Sequence, residues 1–501
     1  MNTLRPQRAK QTLDKDLDRL TVLEQAAHHI SRGLAPLGMA LVFLIVAGVL
    51  GLGFTQNHAQ AGVVIAASAL AAYMAMNIGA NDVTNNVGAA VGARAMSMAG
   101  ALVMAAVFEI AGAFIAGGDV TNTISTGIVT PSLAADPDVF VWIMMAALLS
   151  AALWINIATW INAPISTTHS IVGSVLGAAA AAVGSSAVNW QVIVNITIGW
   201  MISPLLGGLI AAAILYFIYE FIVYQRDKIT AARRWIPVLN GIMLGSFTGY
   251  LSLKTSGQGF SILSADSALI GMAIGCLAWV GSIPVISRQA EGLENRNQSL
   301  RKLFRLPLIG AAALLSFAHG ANDVSNAIGP LAGVIHAMRN DTAHDAVSIP
   351  VWVTVIGAFG ISIGLLLFGP RLIKLVGSKI TKLNPMRAYC VSMSSAVTVI
   401  TASALGLPVS STHIAIGAVF GVGFFREWYN RTSPRRMAYL QMKSSEWQLK
   451  KPKSVNIDEQ KRRYLVRRSH LLTIMGAWAI TLPISAGLAA VIYHVMFALA
   501  G

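Results

Sequence analysis

Charge is what this chain has least of. Only 11% of its 501 residues are charged, against 55% hydrophobic, and the mean hydropathy is +0.64. Soluble domains carry roughly a quarter charged residues, so a chain this long cannot solvate its surface in water alone. Cysteine is nearly missing. Cys276 and Cys390 both lie in apolar sequence, which excludes a disulfide framework and a cysteine metal cluster. No short apolar core opens the chain, so a cleaved signal peptide is not expected. There is no HExxH-like cluster and no nucleophile–base pair, which argues against an intramembrane enzyme, including one with His169 and His413 as metal ligands. No cofactor is implied.

What is abundant is glycine, at 45 residues, and apolar runs near twenty residues long. These describe an all-α polytopic membrane protein rather than a barrel. Runs lie at 36–54, 62–79, 97–117, 139–162, 164–184, 190–224, 237–252, 267–287, 306–325, 350–369, 386–405, 409–425 and 470–498. That gives about 11–13 membrane segments, with 164–184 and 409–425 readable as full spans or as hairpins. The run at 190–224 is overlong and contains Pro204, so it reads as a tilted or bent helix, or as two.

The basic residues sort sharply. Of 36, six lie in 1–35, four in 225–236, five in 288–305, five in 371–387 and thirteen in 426–468, leaving Arg94, Lys254 and Arg339. Segments 118–138 and 340–349 have no Lys or Arg but carry Asp119, Asp136, Asp138, Asp341 and Asp345. The positive-inside rule then places the basic segments, N-terminus included, in the cytoplasm. The +15 net charge is an orientation signal, and nucleic acid is not an expected partner.

One unusual string occurs twice. Gly79-Ala80-Asn81-Asp82-Val83-Thr84-Asn85 returns as Gly320-Ala321-Asn322-Asp323-Val324-Ser325-Asn326, and Pro164-Ile165-Ser166-Thr167-Thr168-His169 returns as Pro408-Val409-Ser410-Ser411-Thr412-His413. Two motifs in the same order at nearly the same spacing mark a large repeat. The charge pattern runs the two copies in opposite directions, a construction common among secondary transporters.

The first motif sets Asp82, Asn81 and Asn85, and again Asp323, Asn322 and Asn326, into apolar sequence. Buried charge of this kind marks function, here a small-cation site or a proton carrier. Gly79 allows a helix break or a close backbone approach. The second motif offers Ser166, Thr167 and Thr168, and Ser410, Ser411 and Thr412, at helix starts, a natural cradle for a tetrahedral oxyanion. His169 and His413 either orient these hydroxyls or pack. Arg94 is the one cation near the motifs and fits better as an anchor at a helix end. Glu109 stands alone mid-span; its mate would fall around Gly357 to Gly360, which offers no acid. His319 has Ile78 as its mate and is a candidate to line the cavity.

These paired motifs, GANDVTNNVG with PISTTH and GANDVSNAIG with PVSSTH, resemble the inorganic phosphate transporter family over roughly residues 62–425. The resemblance implies a homodimeric symporter importing inorganic phosphate, driven by Na⁺ or H⁺, with helical hairpins at some Pro-Ser-Thr-His segments. It implies phosphate handling by Ser166 and Ser410, with Asn81, Asn322 and the neighbouring hydroxyls beside them. Asp82, Asn85, Asp323, Asn326 and Glu109 handle the coupling ion. Relatives resembling the animal proteins carry a second glutamate where this chain has about Ser392, which leaves H⁺ coupling open. Asn86 and Ala89 face Ala327 and Pro330 in the second copy, so the two half-sites differ. The alternatives are a sulfate permease of the same fold and an anion channel.

The chain thus divides into a cytoplasmic segment (1–35), an extra span (36–60), a first transport repeat (61–224) and connecting spans with cytoplasmic loops (225–305). An inverted second repeat (306–425), a basic cytoplasmic insert of net +9 (426–468) and a C-terminal span (469–501) follow. The insert reads as a solvated loop, with lipid headgroups, a regulator or polyphosphate as its possible contacts.

Overall fold

The computed structural model describes residues 34–54, 61–129, 137–161, 163, 165–255, 265–339, 349–379, 383–445 and 468–500. Nearly all of the expected cytoplasmic segment 1–35, most of the acidic stretch 340–349, Pro164, and 446–467 of the basic insert lie outside the described residues.

Every apolar run becomes a helix. In order these are α1 (Leu34–Gly53), α2 (Ala61–Gly92), α3 (Met98–Ala116), the short α4 (Gly118–Asn122), α5 (Pro137–Trp160), α6 (Thr167–Ala182) and α7 (Trp190–Ile218). Then come α8 (Lys228–Thr255), α9 (Ala265–Ala290), α10 (Asn297–Leu303), α11 (Arg305–Asp323), α12 (Ser325–Met338) and α13 (Val351–Lys379). The last are α14 (Pro385–Ala404), α15 (Ser411–Thr432), α16 (Pro434–Ser445) and α17 (Arg468–Ala500). The only β pairing among the described residues is one bridge, Val129 to Val188. Nine described helices are long and apolar enough to cross a membrane, or ten if α10 joins α11–α12 as one bent span. The protein is an all-α polytopic membrane protein.

The question of hairpin or span at 164–184 and 409–425 resolves as hairpin. α6 has 16 residues and reaches about 24 Å, short of a ~30 Å hydrocarbon core. Ser174 on α6 donates to Ser150 on α5, so α5 and α6 fold back on each other. Asn77 and Asn81 of α2 meet Asn156 and Thr159 of α5 in the same sequence direction, so α5 ends level with the first motif. The second half repeats this. α14 runs beside α11, from the Phe304–Tyr389 ring contact to the Asn322–Ser403 hydrogen bond, and α15 returns. α14 and α15 are long enough to span but too polar, with Ser392, Ser394, Ser395, Thr398 and Ser403 buried along α14.

Glycine sets how the halves meet. A Cβ on Gly79 would overlap the Ile361 carbonyl of α13, and one on Gly320 would overlap the Glu109 carbonyl of α3. The motif glycines therefore serve close helix packing, the second of the two roles the sequence allowed, and α2 runs helical through its motif. α3 turns back from α2 and runs with α11, so α2 and α11, and the two hairpins beside them, enter the bundle from opposite ends. Likewise Gly417 and Gly421 of α15 lie against Pro204 and Gly208 of α7, while Gly173 and Gly177 of α6 lie against Leu482 and Ala486 of α17. The run at 190–224 is a single helix with Pro204 inside, prolonged by a wide turn at Tyr219–Val223. α8 and α9 pack on each other through Gly241, Gly245, Gly271 and Gly275, and α8 joins the pair to the bundle with Met243 against Gly310 and Phe247 against Phe317.

Candidate functional site

The two hairpin tips meet, and each is closed by its own chain chemistry. Ser166 and Ser410 adopt extended backbone and cap α6 and α15, their hydroxyl oxygens accepting from His169 N at 3.1 Å and His413 N at 3.2 Å. As caps they use an acceptor lone pair and keep the O–H proton for another partner. Thr168 Oγ1 donates to the Val409 carbonyl of the opposite tip at 3.0 Å.

The motif acids lie against these tips. Asp82 accepts from Thr167 of the first hairpin at 2.8 Å, from Thr412 of the second at 3.1 Å, and from Asn85 at 3.2 Å. Asn85 also donates to Thr412 at 2.8 Å. Asp323 accepts from Ser411 at 2.8 Å, and Asn326 donates to Thr168 at 3.3 Å. Each repeat thus binds the hairpin of the other.

His319 lies among three carboxylates, all buried. Its Nε2 stands 2.9 Å from Asp323 and 3.9 Å from Asp82, and its Nδ1 stands 3.2 Å from Glu109. Asn86 donates to the same Glu109 oxygen at 2.6 Å. One ligand atom each from Asp82, His319 and Asp323 lies within 4.8 Å of the others. Around this centre Glu109 Oε2, Asp323 Oδ1, Asn326 Oδ1 and Asn86 Oδ1 are buried acceptors without a donor. Buried polar atoms are normally paired, so orphaned oxygens on the residues around the Asp82–His319–Asp323 cluster fit a small hard cation or protons.

Asn81 and Asn322 are not loose donors for an anion. Asn81 donates to Thr159 at 3.0 Å; Asn322 donates to Ser403 and the Leu407 carbonyl and accepts from Val409 N. Both brace the hairpins instead. His169 and His413 sit behind the tips with rings 4.5 Å apart, and His169 packs edge-on to Trp200 at 3.8 Å. Arg94 is exposed at the turn after α2, with a positive φ of 57°, away from this centre. The mate of Glu109 is Ile361, one residue past the expected stretch, since these two face Gly320 and Gly79.

Sequence reasoning missed Thr159, Ser403 and Trp200, whose indole donates to the Pro408 carbonyl at 2.9 Å. No motif flags them. Asn86 was visible as an asymmetry, and that was the available signal.

Hairpin tips closing on buried acids, inside a bundle with a broad apolar exterior, define a membrane transport protein. The phosphate transporter family model matches residues 78–489. A Helicobacter pylori (strain J99) protein named "putative phosphate permease" is 41% identical over 95% of this chain and 98% of its own. A similarly named Pyrococcus furiosus protein is 35% identical over 70% of this chain and 85% of its own. A solved structure described as the sodium-dependent phosphate transporter superposes with a TM-score of 0.77 at 31% identity, covering 87% of this chain and all of that one. This chain belongs to the phosphate transporter family, a family of transporters and not of enzymes.

Proposed function

We propose that the protein imports inorganic phosphate across the cytoplasmic membrane by cation-coupled symport with alternating access. The observation that carries this is that the hydroxyls of both tips converge on Asp82 and Asp323, with Glu109 linked to these acids through His319. A phosphate dianion entering there meets carboxylates. At an effective dielectric of about 20, each pair of like unit charges about 4 Å apart costs about 4 kcal/mol. A cation bound first removes that repulsion, so anion binding and cation binding depend on each other. Coupling then follows from electrostatics.

In this reading Asp82, Asn85, Glu109, Asp323 and Asn326 hold the cation. Phosphate takes the O–H groups of Ser166, Thr167, Thr168, Ser410, Ser411 and Thr412 together with the open N–H groups in the first turns of α6 and α15. The hydroxyls that now donate to Asp82 and Asp323 exchange partners as the ions enter. The two repeats are inverted, and opening one hairpin while the other stays seated exposes the centre to one side. α17 takes the place in the second repeat that α7 has in the first, extending that repeat beyond 425. The basic loops face the cytoplasm, and the assembly is a homodimer.

Sodium is the driving ion suggested by the described solved relative and by the orphaned oxygens. A proton is the second reading, favoured by His319 among three acids. Labelled phosphate uptake into proteoliposomes with Na⁺ and H⁺ gradients imposed separately distinguishes them. Phosphate uptake is expected to respond to one gradient and to resist competition by sulfate. Equal competition by sulfate contradicts phosphate selectivity, and indifference to both gradients contradicts symport.

A further inference from the structure

At the base of the second hairpin, three arginines converge on a wall of tyrosines. Arg387 lies in the first turn of α14, where the helix dipole is already positive and a cation is unfavourable. Its guanidinium lies within electrostatic reach of the Tyr219 hydroxyl and of the guanidinium of Arg426 on α15. Arg436, at the start of α16, faces Tyr224 and is anchored by donating to the Asn430 carbonyl at 2.8 Å. Tyr219 and Tyr224 pack on Tyr429 at 5.3 and 5.6 Å, holding the wall rigid.

No carboxylate among the described residues lies within ion-pair distance of Arg387, Arg426 or Arg436. The acid on the tyrosine wall, Glu220, is already taken by Tyr429 at 2.7 Å and Arg435 at 2.8 Å. Arg387 Nε is buried without a hydrogen-bond partner. Like charges held together with an unused buried donor describe a site waiting for an anion, and planar guanidinium forks match phosphate oxygens in pairs.

We infer that Arg387, Arg426 and Arg436, with the hydroxyls of Tyr219 and Tyr224, form a second oxyanion site, outside the transport centre, for a phosphate group. Sixteen residues of α14, roughly 24 Å, separate Arg387 from Ser403 at the tip, so this is not the centre itself. A phosphate group here bridges the two arms of the second hairpin and ties both to the end of α7. The same chemistry is offered by free inorganic phosphate and by the phosphate of an anionic lipid headgroup.

The test uses the full chain in nanodiscs and does not depend on the symport reading. Binding of labelled inorganic phosphate is measured in phosphatidylcholine discs, in a T167A/T168A/S411A/T412A background that removes phosphate donors from the transport centre while keeping the Ser166 and Ser410 caps. Retention of phosphatidylglycerol is measured in parallel by native mass spectrometry. Free phosphate as occupant predicts saturable binding in that background, weakened at least tenfold by R387Q/R426Q. A lipid occupant predicts loss of retained phosphatidylglycerol on the same substitution. R387K/R426K keeps the charge but loses the forks, and an intermediate loss is expected; if the glutamine pair does not fold, the lysine pair decides. Unchanged phosphate binding and unchanged lipid retention in the folded variant overturn the proposal.

Discussion

Asn86, Glu109 and His319 form a linked set at the centre. Their counterparts in the other half are Ala327, Ile361 and Ile78, all buried and apolar. Three departures from symmetry, separate in the sequence, are one substitution of a polar triad for an apolar one. Breaking a buried charged group from its partner costs about 3–5 kcal/mol, whereas replacing the whole set by apolar residues is often neutral. His319→Ile alone should therefore lower the melting temperature in detergent, while N86A/E109I/H319I should recover part of it, because Glu109 no longer stands unpaired although His319's contacts with Asp323 and Asp82 stay lost. Both should lose coupled uptake. A triple variant no more stable than the single one contradicts the triad. At the same scale, Thr412→Ala removes a hydroxyl donor to Asp82, a contact worth about 1.5–3 kcal/mol. That hydroxyl passes to phosphate as the ions enter, so the apparent affinity for phosphate should fall about ten- to a hundredfold in uptake titrations, and an unchanged value contradicts the hydroxyl's role.

Hairpins and glycine contacts decide function at the scale of elements. Gly320→Ala should prevent α11 from seating against α3 and deplete folded protein, because the new methyl group meets backbone. Gly88→Ala is the control; its nearest neighbour, the Thr84 side chain, stands 3.7 Å away, and it should express normally. Fluorescence-detected size-exclusion profiles of the two variants check this, and equal profiles contradict the packing role. The motifs themselves were legible because a carboxylate in apolar sequence is costly and repeats cannot hide. The hairpins stayed open against full spans, since apolar runs such as 164–184 and 409–425 read either way until the partner helix is known. The caps at Ser166 and Ser410 and the bracing by Asn81 and Asn322 were unreadable. The caps depend on a neighbour 3 residues away, and the bracing on neighbours 78 to 87 away.

Charge sorts by end across the whole molecule. Glu220, Lys228, Tyr429, Arg435 and Tyr439 interlock at one end of the bundle, and Lys254 pairs with Asp119 toward the other. Lys254, one of three basic residues outside the basic segments, is thus compensated where it stands. In a Cys276→Ser background, Ser185→Cys should label from outside intact cells and Glu291→Cys only after permeabilisation. Labelling of both from one side contradicts the proposed orientation. The proposed orientation rests on a positive-inside bias that is a sum over many residues and survives single exceptions. The proposed kinship of α17 with α7 is hidden in the sequence, because the basic insert separates α17 from α15.

In the proposed mechanism, coupling passes through the acids at the hairpin tips. Accumulation of labelled phosphate in proteoliposomes, with the driving cation gradient applied and then collapsed, measures it directly for the wild type, Asp82→Asn and Asp323→Asn. The wild type should concentrate phosphate above equilibrium and release it on collapse, and neither variant should exceed equilibrium despite correct insertion. Accumulation by either variant to the wild-type level, or a wild type that only equilibrates phosphate, would contradict the account.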